Sequence, residues 1–291
     1  MPPTPAIQVF QCLQRSSHAR LEQSAALGDG LTAALWNNRH DSQHYQAPSH
    51  HTLSCYVGGG TGTFRTDAPG RKGAPDKLCT LPAGQDSAWV VNGELRLAHL
   101  YFSEQQFALG CVTLLDREPR EMQLREVTFL DEPRQAARFR QLIALDWQEP
   151  AERLLGTSLA HELLSHTLLH QAGLRDGVRV NGGLAGHHRR RLVSHVDSAL
   201  DQPLTLGELA ALCNLSEYHF ARMFRASFGL PPHQYVLARR MARACALLRG
   251  SRLAVGDIAL ACGFASASHF SNRFRQALGA SPISYRAAFL G

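Results

Sequence analysis

The sequence predicts an α+β chain of two domains: an antiparallel β region with helices following it, then an all-α region. Three observations carry this. Short apolar segments separated by turn residues fill the stretch from about residue 45 to about 115. A helical period returns over about 132 to 173. From Thr205 to the carboxyl end, one helix-turn-helix design is written twice. The chain has 291 residues, enough for two cores of ordinary size.

Residues 1 to about 45 show no clear period. The polar run from Asn37 to His51 holds four histidines (His40, His44, His50, His51). No ligand spacing recurs in it, so it does not read as a metal tract. Next come the apolar segments Thr52–Val57, Gly62–Arg65, Lys77–Leu81, Ala88–Val91 and Leu95–Phe102. Gly- and Pro-rich breaks separate them, as in an antiparallel β domain. Asn92-Gly93 has hairpin-turn chemistry. Gly58 to Gly62 (GGGTG) lacks the Lys-Ser/Thr of a phosphate loop and is expected to be a hairpin turn.

Pro133 and Pro150 stand near the starts of two expected helices, where a missing N–H costs least. In the second helix Leu154, Leu155, Leu159, Leu163, Leu164, Leu168 and Leu169 make a wide apolar stripe. It can cover the β region or join two protomers. His166 and His170 have i, i+4 spacing on the same helix and read as solvated. Residues 175–186, glycine-rich and without sustained pattern, read as the linker. Thus 1–174 is one expected domain and 187–291 the other.

The repeat aligns Cys213 with Cys262 at an offset of 49, then Phe220 with Phe270, Phe224 with Phe274, Gly229 with Gly279 and Tyr235 with Tyr285 at 50. One residue has been inserted at the turn of the second copy. Thr205 and Glu208 have capping-box spacing, and Ser216 is placed to cap a second helix. On that helix Phe220, Met223, Phe224 and Phe228 form one apolar face. Tyr218, Ala221, Arg222 and Arg225 form the opposite stripe. The matching stripe of the second copy is Ser268, Ser271, Asn272 and Arg275. A helix fits the major groove of B-DNA, where Arg pairs with guanine and Asn with adenine. Between the copies Pro231 and Pro232 open a helix running to about Leu248, roughly 25 Å long. Such a rod suits two boxes about 10 base pairs apart. It carries Arg239, Arg240 and Arg243, and the run His187 to Arg191 (HHRRR) opens the region with arginines that either meet phosphate or form a charged helix start on the surface.

Charge follows the same division. Residues 188–291 hold 13 arginines and 5 acidic residues, a balance of +8, against −2 for residues 1–187 and +6 for the whole chain. A basic half is the footprint of a polyanion-binding domain.

The tandem repeat, Gly263-Phe264, the run SHFSNRFRQ (Ser268 to Gln276) and the closing PISYR (Pro282 to Arg286) closely resemble the AraC/XylS family of bacterial transcription regulators. Over 187–291 the resemblance implies a seven-helix domain with two helix-turn-helix units joined by a long helix. It implies base contacts at Tyr218, Ala221 and Arg222, and at Ala267, Ser268, Ser271 and Asn272. This chain departs from many members in having Asn272 where they have Arg. The segment LCTLPAGQDSAWVV resembles the family's barrel turn, which implies a cupin-like β-barrel over about 45–115, often holding an effector. Tyr56, Phe64, Trp89 and His99 are candidates to line that pocket. Ser87 stands where many barrels have His, and His99 is alone among strand residues, so the ligand set of a metal cupin is missing.

The expected function is therefore a sequence-specific DNA-binding transcription regulator, an activator, responding to a small-molecule effector. Its expected partners are double-stranded DNA, RNA polymerase and a second copy of itself, with no cofactor, no metal and no enzymatic activity. Two alternatives stay open: a thiol redox sensor using Cys55, Cys79 or Cys111, and a cupin enzyme with a regulatory tail. Seven scattered cysteines without a CxxC pair argue against disulfides or zinc. No secretion signal or bilayer-length apolar run is evident, so the expected compartment is the bacterial cytoplasm.

Overall fold

The structure is a computed structural model that describes residues 7–178 and 180–290. The chain divides into two compact units, the first from Met1–Glu104 and Leu124–Gln171, the second from Gln105–Gln123 and Ala172–Gly291.

The first unit opens with α1 (Gln8–Arg15), β1 (Ala19–Gly28) and β2 (Leu31–Tyr45). There follow β3 (His50–Gly59), β4 (Thr63–Arg65), β5 (Lys77–Leu81) and β6 (Ser87–Ser103). After an excursion through α2 (Glu104–Thr113), a 3-10 turn (Pro119–Glu121) and β7 (Met122–Leu124), the chain returns in β8 (Val127–Asp131), α3 (Pro133–Ala144) and α4 (Pro150–Gln171). Seven strands form one antiparallel sheet in the order β1-β2-β6-β3-β5-β8, with β4 also on β6. Trp36, Tyr45, Tyr56, Trp89, Tyr101 and Phe129 form one buried cluster on it, to which α1 adds Val9 and Leu13. No ladder joins β1 to β8 among the described residues, so backbone hydrogen bonds do not close the expected barrel.

The sheet also begins earlier than expected, at Ala19 rather than near 45. The polar run that hid it lies on β2, a 15-residue strand that alternates outward polar with inward apolar side chains only over part of its length. Asn92-Gly93 is not a hairpin turn. Strand β6 passes straight through it, with Gly93 at φ 100°, and the ladder to β2 slips between Arg39↔Glu94 and Asp41↔Val91. This is a bulge, in which extra residues on one strand bend it without ending it. Neither is GGGTG a reversal. Strands β3 and β4 both run antiparallel to β6, so the glycines form a kink between two nearly collinear strands, held by Gly60 N donating to Glu94 O at 2.8 Å.

The second unit contains α2, a short β9 (Ala172–Leu174) and seven further helices: α5 (Gly186–Ser198), α6 (Leu206–Ala211), α7 (Glu217–Phe228), α8 (Pro232–Gly250), α9 (Val255–Ala261), α10 (Ala267–Leu278) and α11 (Pro282–Leu290). Residues 105–123, which the sequence reading placed with the β region, cluster here. Leu109 and Val112 of α2 pack with Leu192, Phe220, Phe224, Phe228 and Tyr235 in the core of the first helix-turn-helix copy.

The segment read as a linker is similarly tied down where it is described. Leu184 is buried in that core, and its N–H donates to Ser227 Oγ at 2.7 Å. Arg120 donates to the carbonyls of Asn181 and Gly182 at 3.1 and 2.8 Å. Arg179 lies outside the described residues.

Candidate DNA-binding surface

Each recognition helix is set by local chemistry. Ser216 and Ser266 cap α7 and α10, accepting from the N–H groups of His219 and His269 at 3.4 and 3.2 Å. Each helix ends on a residue in the left-handed conformation, Gly229 (φ 74°) and Gly279 (φ 77°), where a side chain would be strained. The turns before them match too. Asn214 and Gly263 both have positive φ, and the next N–H reaches back from Leu215 to Ala210 O and from Phe264 to Ala259 O, at 3.1 and 2.9 Å. The inserted residue of the second copy falls between that turn and the cap.

Inward, Phe220, Phe224 and Phe228 are fully buried, as are Phe270 and Phe274. Phe224 stacks on Phe228 with centroids 3.9 Å apart, and Tyr235 closes edge-on over both. Tyr285 does the same over Phe274. With one face of each helix fixed in this way, the opposite face must meet solvent.

On that face Tyr218 is 82% exposed, an unusual position for a large aromatic in a stable surface. Arg222 and Arg225 are exposed beside it and Ala221 is half-buried. On α10, Ala267, Ser268, Asn272 and Arg275 are exposed and Ser271 is half-buried. Arg275 Nη2 donates to Asn272 Oδ1 at 3.1 Å. A bidentate pair from Asn to adenine uses that oxygen, whose second lone pair is left over beside the bond from Arg275.

Several cations singled out for DNA have structural duties instead. Arg239 forms two hydrogen bonds to Asp197, 2.7 and 2.8 Å, tying α8 to α5. Arg240 donates to Leu200 O and Gln202 O at 3.1 and 2.7 Å. Within HHRRR, Arg189 is held by Glu118 at 2.8 Å, while Arg190 is exposed. Glu118 is 2% exposed and also binds Arg120 at 2.9 Å. Sequence reasoning missed this carboxylate, since nothing local marks residue 118 as a partner of residue 189.

In the sheet unit, Tyr56, Trp89 and His99 line one internal cavity of about 30 Å³. Phe64 does not line it. That ring is half-buried, with the Lys72 ammonium 3.7 Å from its centroid. Burial pushes His99 down to about 3 and His50 to about 4, so both are neutral imidazoles at ordinary pH. Burial likewise pushes the Cys55 and Cys79 thiols up to about 12, and Cys111 is fully buried. Cys55 and Cys79 thus carry little thiolate at neutral pH, which argues against a redox role for them. Among the described residues no group of three or more His, Cys, Asp or Glu side chains is placed to hold a metal ion, and no helix is long and apolar enough to cross a membrane.

The geometry defines a tandem helix-turn-helix module with a polar, cationic outer face, and the comparisons find similarity over the same region. A family profile described as a helix-turn-helix domain matches residues 209–288. The transcriptional activator AarP of Providencia stuartii is 34% identical over 96 residues, covering 33% of this chain and 71% of its own length. The probable transcriptional regulator LumQ of Photobacterium leiognathi is 32% identical over 93 residues, 32% of this chain and 38% of its own. A solved structure described as the DNA-binding domain of AdpA in complex with a target DNA is 34% identical, covering 34% of this chain and 90% of that one, at a TM-score of 0.34. The chain belongs to the AraC/XylS family and carries its helix-turn-helix DNA-binding module. The match spans between a quarter and two-fifths of the length of the first few curated relatives.

Proposed function

We propose that the protein is a transcriptional activator that binds two DNA boxes through α7 and α10 and responds to a small molecule bound by the sheet unit. The observation that carries the reading is the duplicated, serine-capped recognition helix with Tyr218, Ala221, Arg222 and Arg225 outward in one copy and Ala267, Ser268, Ser271, Asn272 and Arg275 in the other. Between them α8 has 19 residues and is about 28 Å long at 1.5 Å per residue. A rod of that order suits recognition helices one duplex turn apart, about 34 Å.

On this reading Arg222 reads guanine, Asn272 reads adenine, and Arg225 and Arg275 bind phosphate. Effector binding shifts the population competent to hold both boxes and engage RNA polymerase, and the protein works as a homodimer in the bacterial cytoplasm. The sheet unit is read as a sensor because it encloses a cavity among Tyr56, Trp89 and His99. The test is selection of binding sites from random duplex DNA followed by footprinting. Two protected boxes about 10 base pairs apart on one face are expected, and a single short box would refute the tandem reading.

A further inference from the structure

Lining the cavity of the sheet unit are Asn38, Gln43, Ser54, Thr63 and His99, together with the rings of Tyr45, Tyr56 and Trp89 and several aliphatic side chains. None of the described lining residues is Asp, Glu, Lys or Arg. The titratable ones are uncharged over a wide pH range. Burial lowers His99 to about 3 and raises Cys79 to about 12, and it raises the Tyr45 and Tyr56 phenols as well. An ion placed here would lose its hydration and meet no charged group in the lining; Arg65, over the Trp89 ring, is already paired with Asp67 and Glu126.

The polar lining nevertheless has bonding capacity to spare. Thr63 is 1% exposed and its hydroxyl has no hydrogen-bond partner among the described residues. Trp36 Nε1 donates to the Tyr101 hydroxyl at 3.3 Å, and that hydroxyl lies 2.8 Å from His99 Nδ1. With the Tyr101 hydroxyl donating to Nδ1, the neutral imidazole carries its hydrogen on Nε2 and is a donor there. A buried polar group left unsatisfied is costly, so a ligand group that pairs with it is favoured.

We infer that this cavity is the site of a compact, uncharged molecule bearing hydroxyl or amide groups, bound by Thr63, Ser54, Asn38 and His99, and that charged metabolites are excluded from it. The inference rests on the sensor reading of the sheet unit and names its ligand class. At about 30 Å³ the cavity has the volume of roughly one water molecule, so binding requires a wall to move. That wall is α1, which contributes Leu13 to the lining. Beyond it lies a groove of about 170 Å³ bordered by Gln11 and Arg15 of α1 and by His44. Tyr45 borders both spaces, so an outward shift of α1 with a turn of Tyr45 would join them.

The experiment is thermal unfolding and calorimetric titration of the full-length protein with matched pairs of one skeleton: glycerol and glycerate, xylitol and xylonate, acetamide and acetate, nicotinamide and nicotinate. At least one neutral member is expected to stabilise the protein saturably and its carboxylate not to. Thr63→Val keeps the shape and removes the unpartnered hydroxyl. It should leave the ligand-free melting temperature unchanged or raised, and weaken the neutral ligand about fivefold. Ser54→Ala is the second variant, expected to weaken binding by a similar factor.

A carboxylate that binds as well as its neutral partner, or a neutral ligand insensitive to both substitutions, would move the ligand to the groove beside Arg15. That would overturn this site while leaving the sensor reading intact. No response to any pair would contradict the site and the sensor reading together.

Discussion

The two helix-turn-helix copies share a backbone and differ in what surrounds it. The first is built into its neighbours. A capping box joins Thr205 and Glu208, with hydrogen bonds of 3.2 and 2.9 Å. Leu109 and Val112 of α2 complete its core, and Glu118 joins α5 to the segment before it. Among the described residues the second copy lacks these supports. Ala254 caps α9 without a side-chain hydrogen bond, and Leu260 on α9 is 61% exposed. Their outer faces differ as well: two arginines and a tyrosine on α7, small hydroxyls with Asn272 and Arg275 on α10. The first copy thus presents the more cationic and aromatic outer face and the second the smaller, more polar one, on one scaffold.

The largest expected effect is common to both copies. Phe224→Ala and Phe274→Ala each remove a fully buried ring from an aromatic cluster. Each should cost about 3–5 kcal/mol in chemical denaturation. A loss under about 1 kcal/mol for either would mean that its helix is not held by that cluster.

Glu118→Gln should separate the copies. It leaves Arg120 and Arg189 without their shared carboxylate, at a cost of about 3 kcal/mol. Hydrogen exchange should speed up in α7 and stay unchanged in α10. Equal acceleration in both would show that residues 105–123 do not buttress the first copy in particular.

On DNA, Arg222→Ala should lose about 1–3 kcal/mol of discrimination at one base pair, while Arg225→Ala weakens every sequence and lowers the salt slope by about one. The check is titration of specific and random duplexes at several salt concentrations. An equal loss on random DNA for Arg222→Ala would reassign it to phosphate.

The smallest effect tests the caps. Thr205→Ala should cost about 1 kcal/mol. Ala254→Thr, which places a hydroxyl three residues before Asp257, should return a cap of similar worth to the second copy. Thermal unfolding of the two variants should move in opposite directions.

What the sequence revealed and what it hid follow from the range of the forces involved. The capping box, the serine caps, Gly229 and Gly279 were legible because each acts within four residues, and the repeat was legible because the aromatic cores are duplicated in register. Proline marked α3, α4 and α8 for the same local reason. Strand β6 was read as two because Asn92-Gly93 favours a turn locally, whereas the ladders to β2, β3 and β4 hold it extended on both sides. Strand β2 was missed because its outer half is polar. Glu118 was invisible, since its partner lies 71 residues away. Of the four candidate pocket residues, Tyr56, Trp89 and His99 meet at one cavity. Phe64 does not, because neighbours on a strand alternate faces and Thr63 takes the inward position.

The central claim is that α7 and α10 read two successive major-groove faces of one duplex. Its most direct test is to take a selected binding site and insert about 5 base pairs, half a turn, between its two boxes. The account predicts that affinity falls toward that of a single box, at least tenfold, because the α8 rod cannot rotate one recognition helix to the far side of the DNA. Unchanged affinity after the half-turn insertion would contradict it.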